Sequence, residues 1–132
     1  MYQNPYEPPQ DMGRPREAKR ALLLAAVGAF LASGYWAVVA LLLRAAATTH
    51  GSSGPRLIVP IVLIAIYAVR GYQMLTGDVG AARRIVWVHG VGGAFAILQM
   101  AGGVPFVVVL NGVKVLIHIF GGVMAWRAVR ES

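Results

Sequence analysis

Cysteine is absent from this chain. That excludes disulfides, thiolate metal sites and cysteine nucleophiles, and it leaves no residue that reports a redox compartment. Charge is scarce as well. Charged residues make up 13% of the 132, roughly half the ~25% of an ordinary soluble domain. Acids are scarcest: Glu7, Asp11, Glu17, Asp78 and Glu131 are all there are, and each lies outside the long apolar runs. Paired-carboxylate chemistry is therefore excluded from those runs, and any cation inside them has no carboxylate of this chain beside it. Ser33, Ser52 and Ser53 lack an Asp/His constellation, and the "GVGG" at 90–93 follows no strand, so it is no phosphate loop. The chain reads as a protein without enzymatic chemistry. Regular polar alternation is missing too, which argues against a membrane β-barrel.

What is present is hydrophobic length. Apolar residues reach 58%, and the mean hydropathy is +0.64. A charge-free run covers 21–43, about the 20 residues needed to cross a hydrocarbon core of about 30 Å. This run far exceeds the apolar core of about 7–15 residues in a secretory signal, so it reads as a retained helix. A second span covers 57–75, with Pro60 placed in its first turn, where a missing N–H costs little. The stretch 85–113 is free of Lys, Arg, Asp and Glu, too long for one ordinary helix, and "GGVP" at 102–105 divides it. Two spans result, 85–101 and 105–126. The expected fold is an all-α membrane protein, a four-transmembrane-helix bundle over 21–130 behind a tail of residues 1–20. Pro5, Pro8, Pro9 and Pro15 mark that tail as disordered or partly polyproline II.

The net charge of +7 would suggest nucleic acid in a soluble protein; here its distribution speaks of topology instead. With the N-terminus inside, Arg14, Arg16, Lys19, Arg20, Arg70, Arg83, Arg84, Arg127 and Arg130 fall on the cytoplasmic side. Only Arg44 and Arg56 fall outside. Positive residues concentrate on the inner face, so both termini are expected to be cytoplasmic, in a bacterial inner membrane, with no nucleic-acid partner. Trp87 and Trp126 fit the inner aromatic belt.

Helix association in lipid rests on close packing and buried polar contacts. Small residues at i, i+4 spacing supply faces for it: Ala25, Ala29 and Ser33 with Gly28 and Ala32, then Gly92 and Ala96, then Gly121 and Ala125. These fit a compact bundle, and one such face is also a candidate for self-association into a homo-oligomer.

The polar residues inside the spans form the candidate site. Asn111, Lys114 and His118 advance by three or four residues and share one face of the fourth span. In the third, His89 shares a face with Gly93 and Ala96, and Gln99 flanks it. His89 and His118 lie equally far from the hairpin midpoint, so antiparallel packing brings them to similar depth, with Gln99 near the level of Asn111. Three readings follow for this face. It fixes helix register through hydrogen bonds; or His89 and His118 ligate a haem b, with Gly90, Gly92, Gly93, Gly121 and Gly122 making room; or it forms a path or pocket for a proton, an anion or a lipid headgroup. No other metal site is expected. A lysine at the bilayer centre costs about 2.5–3.5 kcal/mol on insertion scales. With no acid of this chain nearby, Lys114 is neutral through desolvation, hydrated in a cavity, bonded to Asn111 and backbone carbonyls, reaching toward the headgroups, or matched by another molecule, which would be a partner subunit's carboxylate or an anionic lipid or substrate. The leading expectation is an accessory or scaffold subunit that binds other membrane proteins through Lys114 and the small-residue faces. The alternative is a haem-binding, transport or proton-path protein.

The tail motif "NPYEPP" sets Tyr6 between Asn4, Pro5, Pro8 and Pro9, an extended segment that an aromatic groove could read. Together with "RPREAKRALLL" and "AARRIVWV", it resembles small bacterial inner-membrane proteins of unknown function that open with an N-P-Y-x-P-P-like tail. The resemblance implies an inner-membrane location with the N-terminus inside, and no activity.

Overall fold

The computed structural model describes residues 16–50, 54–101 and 103–132. The tail motif at Asn4, Pro5, Tyr6, Pro8 and Pro9 and the hairpin residue Gly102 lie outside them. Four α-helices follow one another: α1 (Arg16–His50), α2 (Gly54–Leu75), α3 (Val79–Met100) and α4 (Pro105–Arg130), with no strand among the described residues. Segments this apolar satisfy their backbone internally as helices, the arrangement that a lipid environment demands. Three stretches, Arg16–Thr48, Arg56–Leu75 and Pro105–Arg130, are long and apolar enough to cross a membrane. The 22 residues of α3 give about 33 Å at 1.5 Å per residue, and they carry Arg83, Arg84, His89 and Gln99.

The helix ends follow local chemistry. Gly77 adopts a positive φ of 96° after α2 and lets the chain reverse. Asp78 then caps α3, its Oδ1 accepting from the Ala81 N–H at 3.1 Å. Pro105 opens α4 in the position that suits proline, and Arg127 and Arg130 occupy its last turn, where the helix dipole favours cations. Pro60 departs from the expectation. Because α2 begins at Gly54 rather than near Leu57, Pro60 lies inside the helix, beyond the first turn. It therefore removes one hydrogen bond to the preceding turn.

The helices pack in the order α2–α1–α4–α3. Helix α1 lies along both α2 and α4, and α3 lies along α4, while α2 and α3 barely meet. The N-terminal half of α1 carries a ribbon of alanines, with Ala18, Ala21, Ala25, Ala29 and Ala32 all buried. Such small side chains let backbones approach closely. Gly28 shows how closely: a Cβ there would lie 2.6 Å from the Cα of Gly121 on α4. The Ser33 hydroxyl donates to the Ile64 carbonyl on α2 at 3.2 Å. Ala96 and Ala125 are likewise fully buried. The small-residue faces are thus largely occupied within the bundle. The outward faces are large and apolar, among them Leu23, Leu41, Ile58, Leu98 and Leu116, as suits contact with lipid tails.

Candidate functional site

The hairpin geometry brings the two histidines into direct contact. His89 on α3 and His118 on α4 are 1% and 3% exposed, and their Nδ1 atoms are 2.9 Å apart. One Nδ1 carries the proton and the other accepts it. The Tyr67 hydroxyl on α2 comes to 3.5 Å from the same His118 Nδ1, and its ring lies 5.2 Å from the His89 ring. Both Nε2 atoms are buried without a hydrogen-bond partner.

Each of those Nε2 atoms rests on a glycine of the opposite helix. A Cβ on Gly92 would lie 2.7 Å from Cε1 and Nε2 of His118, and one on Gly121 would lie 2.5 Å from Nε2 of His89. Gly93 and Gly122 stand beside them, with a Cβ at either reaching ordinary contact with the opposite histidine's Cβ at 3.4 Å. The exchange is reciprocal because the two helices carry one pattern, H-x-x-G-G-x-x-A, at His89–Gly92–Gly93–Ala96 and at His118–Gly121–Gly122–Ala125. In an antiparallel hairpin two copies of a pattern are related by an approximate two-fold axis across the helices. The His89–His118 contact lies on that axis. This repeat is readable in the sequence itself. Tyr67 was missed, and its signal was that it is the sole polar side chain between Arg56 and Arg70.

The haem b reading would need the two imidazoles on either side of an iron. Iron held between two imidazole nitrogens sets them roughly 4 Å apart, twice a metal–imidazole bond of about 2.0 Å. Here the Nδ1 atoms bond each other directly, and the Nε2 atoms face glycine backbone. The room made by the glycines is filled by imidazole, so no slot remains between the rings for a macrocycle. Among the described residues no group of three or more His, Cys, Asp or Glu side chains could hold a metal ion.

Lys114 lies one turn before His118 on α4. It is 5% exposed, and its ammonium stands 4.6 Å from the centre of the Trp36 ring on α1. That is a cation–π contact. No hydrogen-bond acceptor for the ammonium is found among the described residues. Asn111 is buried on the same face, without a hydrogen bond to Lys114 or Gln99. Gln99 is exposed rather than packed against Asn111. The site is therefore two clusters on one face of α4: His89–His118–Tyr67, and Lys114–Trp36.

Between α2 and α3, where the helices barely meet, a groove of about 560 Å³ opens along the side of the bundle. Val59, Leu63, Trp87, Val91 and Phe95 form apolar walls, and Gln99 lies at its rim. Lys114, His118, Trp36 and Tyr67 give it a floor with polar groups. Four helices, three of them able to cross a membrane, around a buried polar cluster mark the chain as an all-helical membrane protein. No protein-family model, curated protein or solved structure matches it.

Proposed function

We propose that the chain is a four-span inner-membrane protein, with both termini cytoplasmic, that works without chemistry of its own by holding a small apolar-bodied molecule between α2 and α3. The observation that carries this reading is the groove itself, with the Lys114 ammonium at its floor. Its volume of about 560 Å³ falls in the range of small-molecule sites, ~300–1,000 Å³. A membrane helix about 10 Å across and 30 Å long displaces about 2,400 Å³, several times what the groove holds. An accessory role, with Lys114 meeting a partner's carboxylate, is therefore less well supported. The inward reach of Lys114 and the burial of the alanine and glycine faces point the same way. Four spans with the ends inside rest on the basic residues at one end of the bundle: Arg20 and Arg127 line one shallow pocket there.

The test is what the protein carries. Full-length protein purified from its membrane in mild detergent is extracted, and its small molecules are identified by mass spectrometry. Wild type should carry one apolar species at near-equal amount. Val91→Trp, which fills the groove from an exposed wall position, should lose it while staying folded. Identical extracts from both proteins would refute the reading. A carboxyl-terminal reporter active only outside the cytoplasm would refute the orientation.

A further inference from the structure

We infer that the molecule held in the groove is a free amphiphile with a single carboxylate head, bound with the carboxylate against Lys114; this rests on the reading of the groove as a ligand site. The Lys114 side chain is buried, it lines the groove, and among the described residues its ammonium meets the face of Trp36 and no hydrogen-bond acceptor. An aromatic face attracts a cation but accepts no conventional hydrogen bond, so the ammonium donors remain unmet. The helices around it offer no carboxylate: Glu17, Asp78 and Glu131, the acids among the described residues, lie at helix ends, and Asp78 and Glu131 are paired with Arg84 and Arg127. The missing counter-charge is one unit and negative.

Depth separates a free acid from a bilayer lipid. Lys114 is nine residues into α4 from Pro105, which places it about 13 Å along the helix at 1.5 Å per residue. From Lys114 to the basic turn at Arg127 is a further ~20 Å. The headgroup of a phospholipid stays at the bilayer surface, and the ammonium is drawn inward to Trp36 rather than outward to meet it. A fatty-acid-like molecule has no such anchor. Its carboxylate can be carried to mid-depth by its own apolar chain, which the walls of Val59, Leu63, Val91 and Phe95 then cover. One lysine also suits one charge: a phosphate dianion calls for more than a single cation and is usually met by several donors.

The experiment is a binding measurement on the full-length protein in nanodiscs, by scintillation proximity, with radiolabelled dodecanoate and, as the neutral match, dodecanol. Dodecanoate should bind tighter than dodecanol by about tenfold or more, the usual yield of one charge-assisted hydrogen bond. Lys114→Met should abolish that preference, and Lys114→Arg should keep it. Equal binding of acid and alcohol to wild type, with both lost in Val91→Trp, would overturn the carboxylate inference and leave the groove standing as an apolar site. Binding that Val91→Trp leaves untouched would overturn the groove reading too. Dodecyl phosphate displacing dodecanoate at lower concentration than dodecanoic acid itself would overturn the monocarboxylate assignment.

Discussion

Replacing Gly92 by alanine tests the reciprocal histidine–glycine packing directly. The added methyl would stand 2.7 Å from two atoms of the His118 ring, closer than side-chain carbons come to one another. The ring cannot simply slide, because its Nδ1 is held by His89 at 2.9 Å. It must turn, and the turn sacrifices that bond. Overpacking of this kind costs about 1–3 kcal/mol, and an interhelical hydrogen bond in a membrane contributes about 0.6 kcal/mol on average. Alanine is a better helix former than glycine by roughly 0.5–1 kcal/mol, which offsets part of the loss. The net expectation is a destabilisation of about 1–3 kcal/mol. Sign reversal gives the sharper check. In a His118→Ala background the obstacle is gone, so Gly92→Ala should become neutral or stabilising, a coupling of about 2 kcal/mol in a double-mutant cycle. Gly121→Ala with His89→Ala should behave in the same way, as the two-fold relation demands. Unfolding in mixed micelles, followed by circular dichroism with increasing SDS fraction, measures these differences. Gly90→Ala supplies the control, since nothing lies within 4 Å of its added methyl. If Gly92→Ala and Gly90→Ala unfold alike, the reciprocal packing does not hold the hairpin.

Substitutions at three other positions probe the framework. Gly28→Ala should destabilise more than Gly92→Ala, because its new methyl meets the backbone of Gly121 at 2.6 Å and α1 and α4 must separate. Gly34→Ala, which meets nothing within 4 Å, should be tolerated in the same unfolding assay. Asp78→Ala should cost about 1 kcal/mol through loss of the α3 cap, whereas Asp78→Asn, which keeps an accepting oxygen for Ala81 but not the exposed ion pair with Arg84, should cost little. Equal losses for alanine and asparagine would show that the ion pair, not the cap, is what matters.

Much of the architecture was legible because the apolar runs have the period and length of membrane helices, and little else competes with that signal. The matched depth of His89 and His118 followed from counting residues on either side of one tight turn. That they touch, and that the glycines hold imidazole rings rather than make room for a macrocycle, depends on how α3 and α4 rotate about their own axes. Counting residues does not reveal rotation. Trp36 as the partner of Lys114 was out of reach for a different reason. The pair joins α1 to α4, 78 positions apart, and no local pattern says which helices are neighbours. Gln99 and Asn111 share a level along the hairpin, yet one faces outward and the other inward. Pro60 was misplaced because the apolar run begins at Leu57 while the helix begins at Gly54. A helix in this setting starts before its hydrophobic stretch does.

The paired H-x-x-G-G-x-x-A segments carry a consequence for how the hairpin finds its partner. Sliding α3 against α4 by a single residue would lift both histidines off their glycines at once, so the two contacts act as a pair of dowels. The short connection at 101–104 then has little to do with alignment. A chain severed there should still recover the same pairing when its two pieces share a bilayer. Spacer residues added at that point should lengthen the loop without shifting one helix along the other.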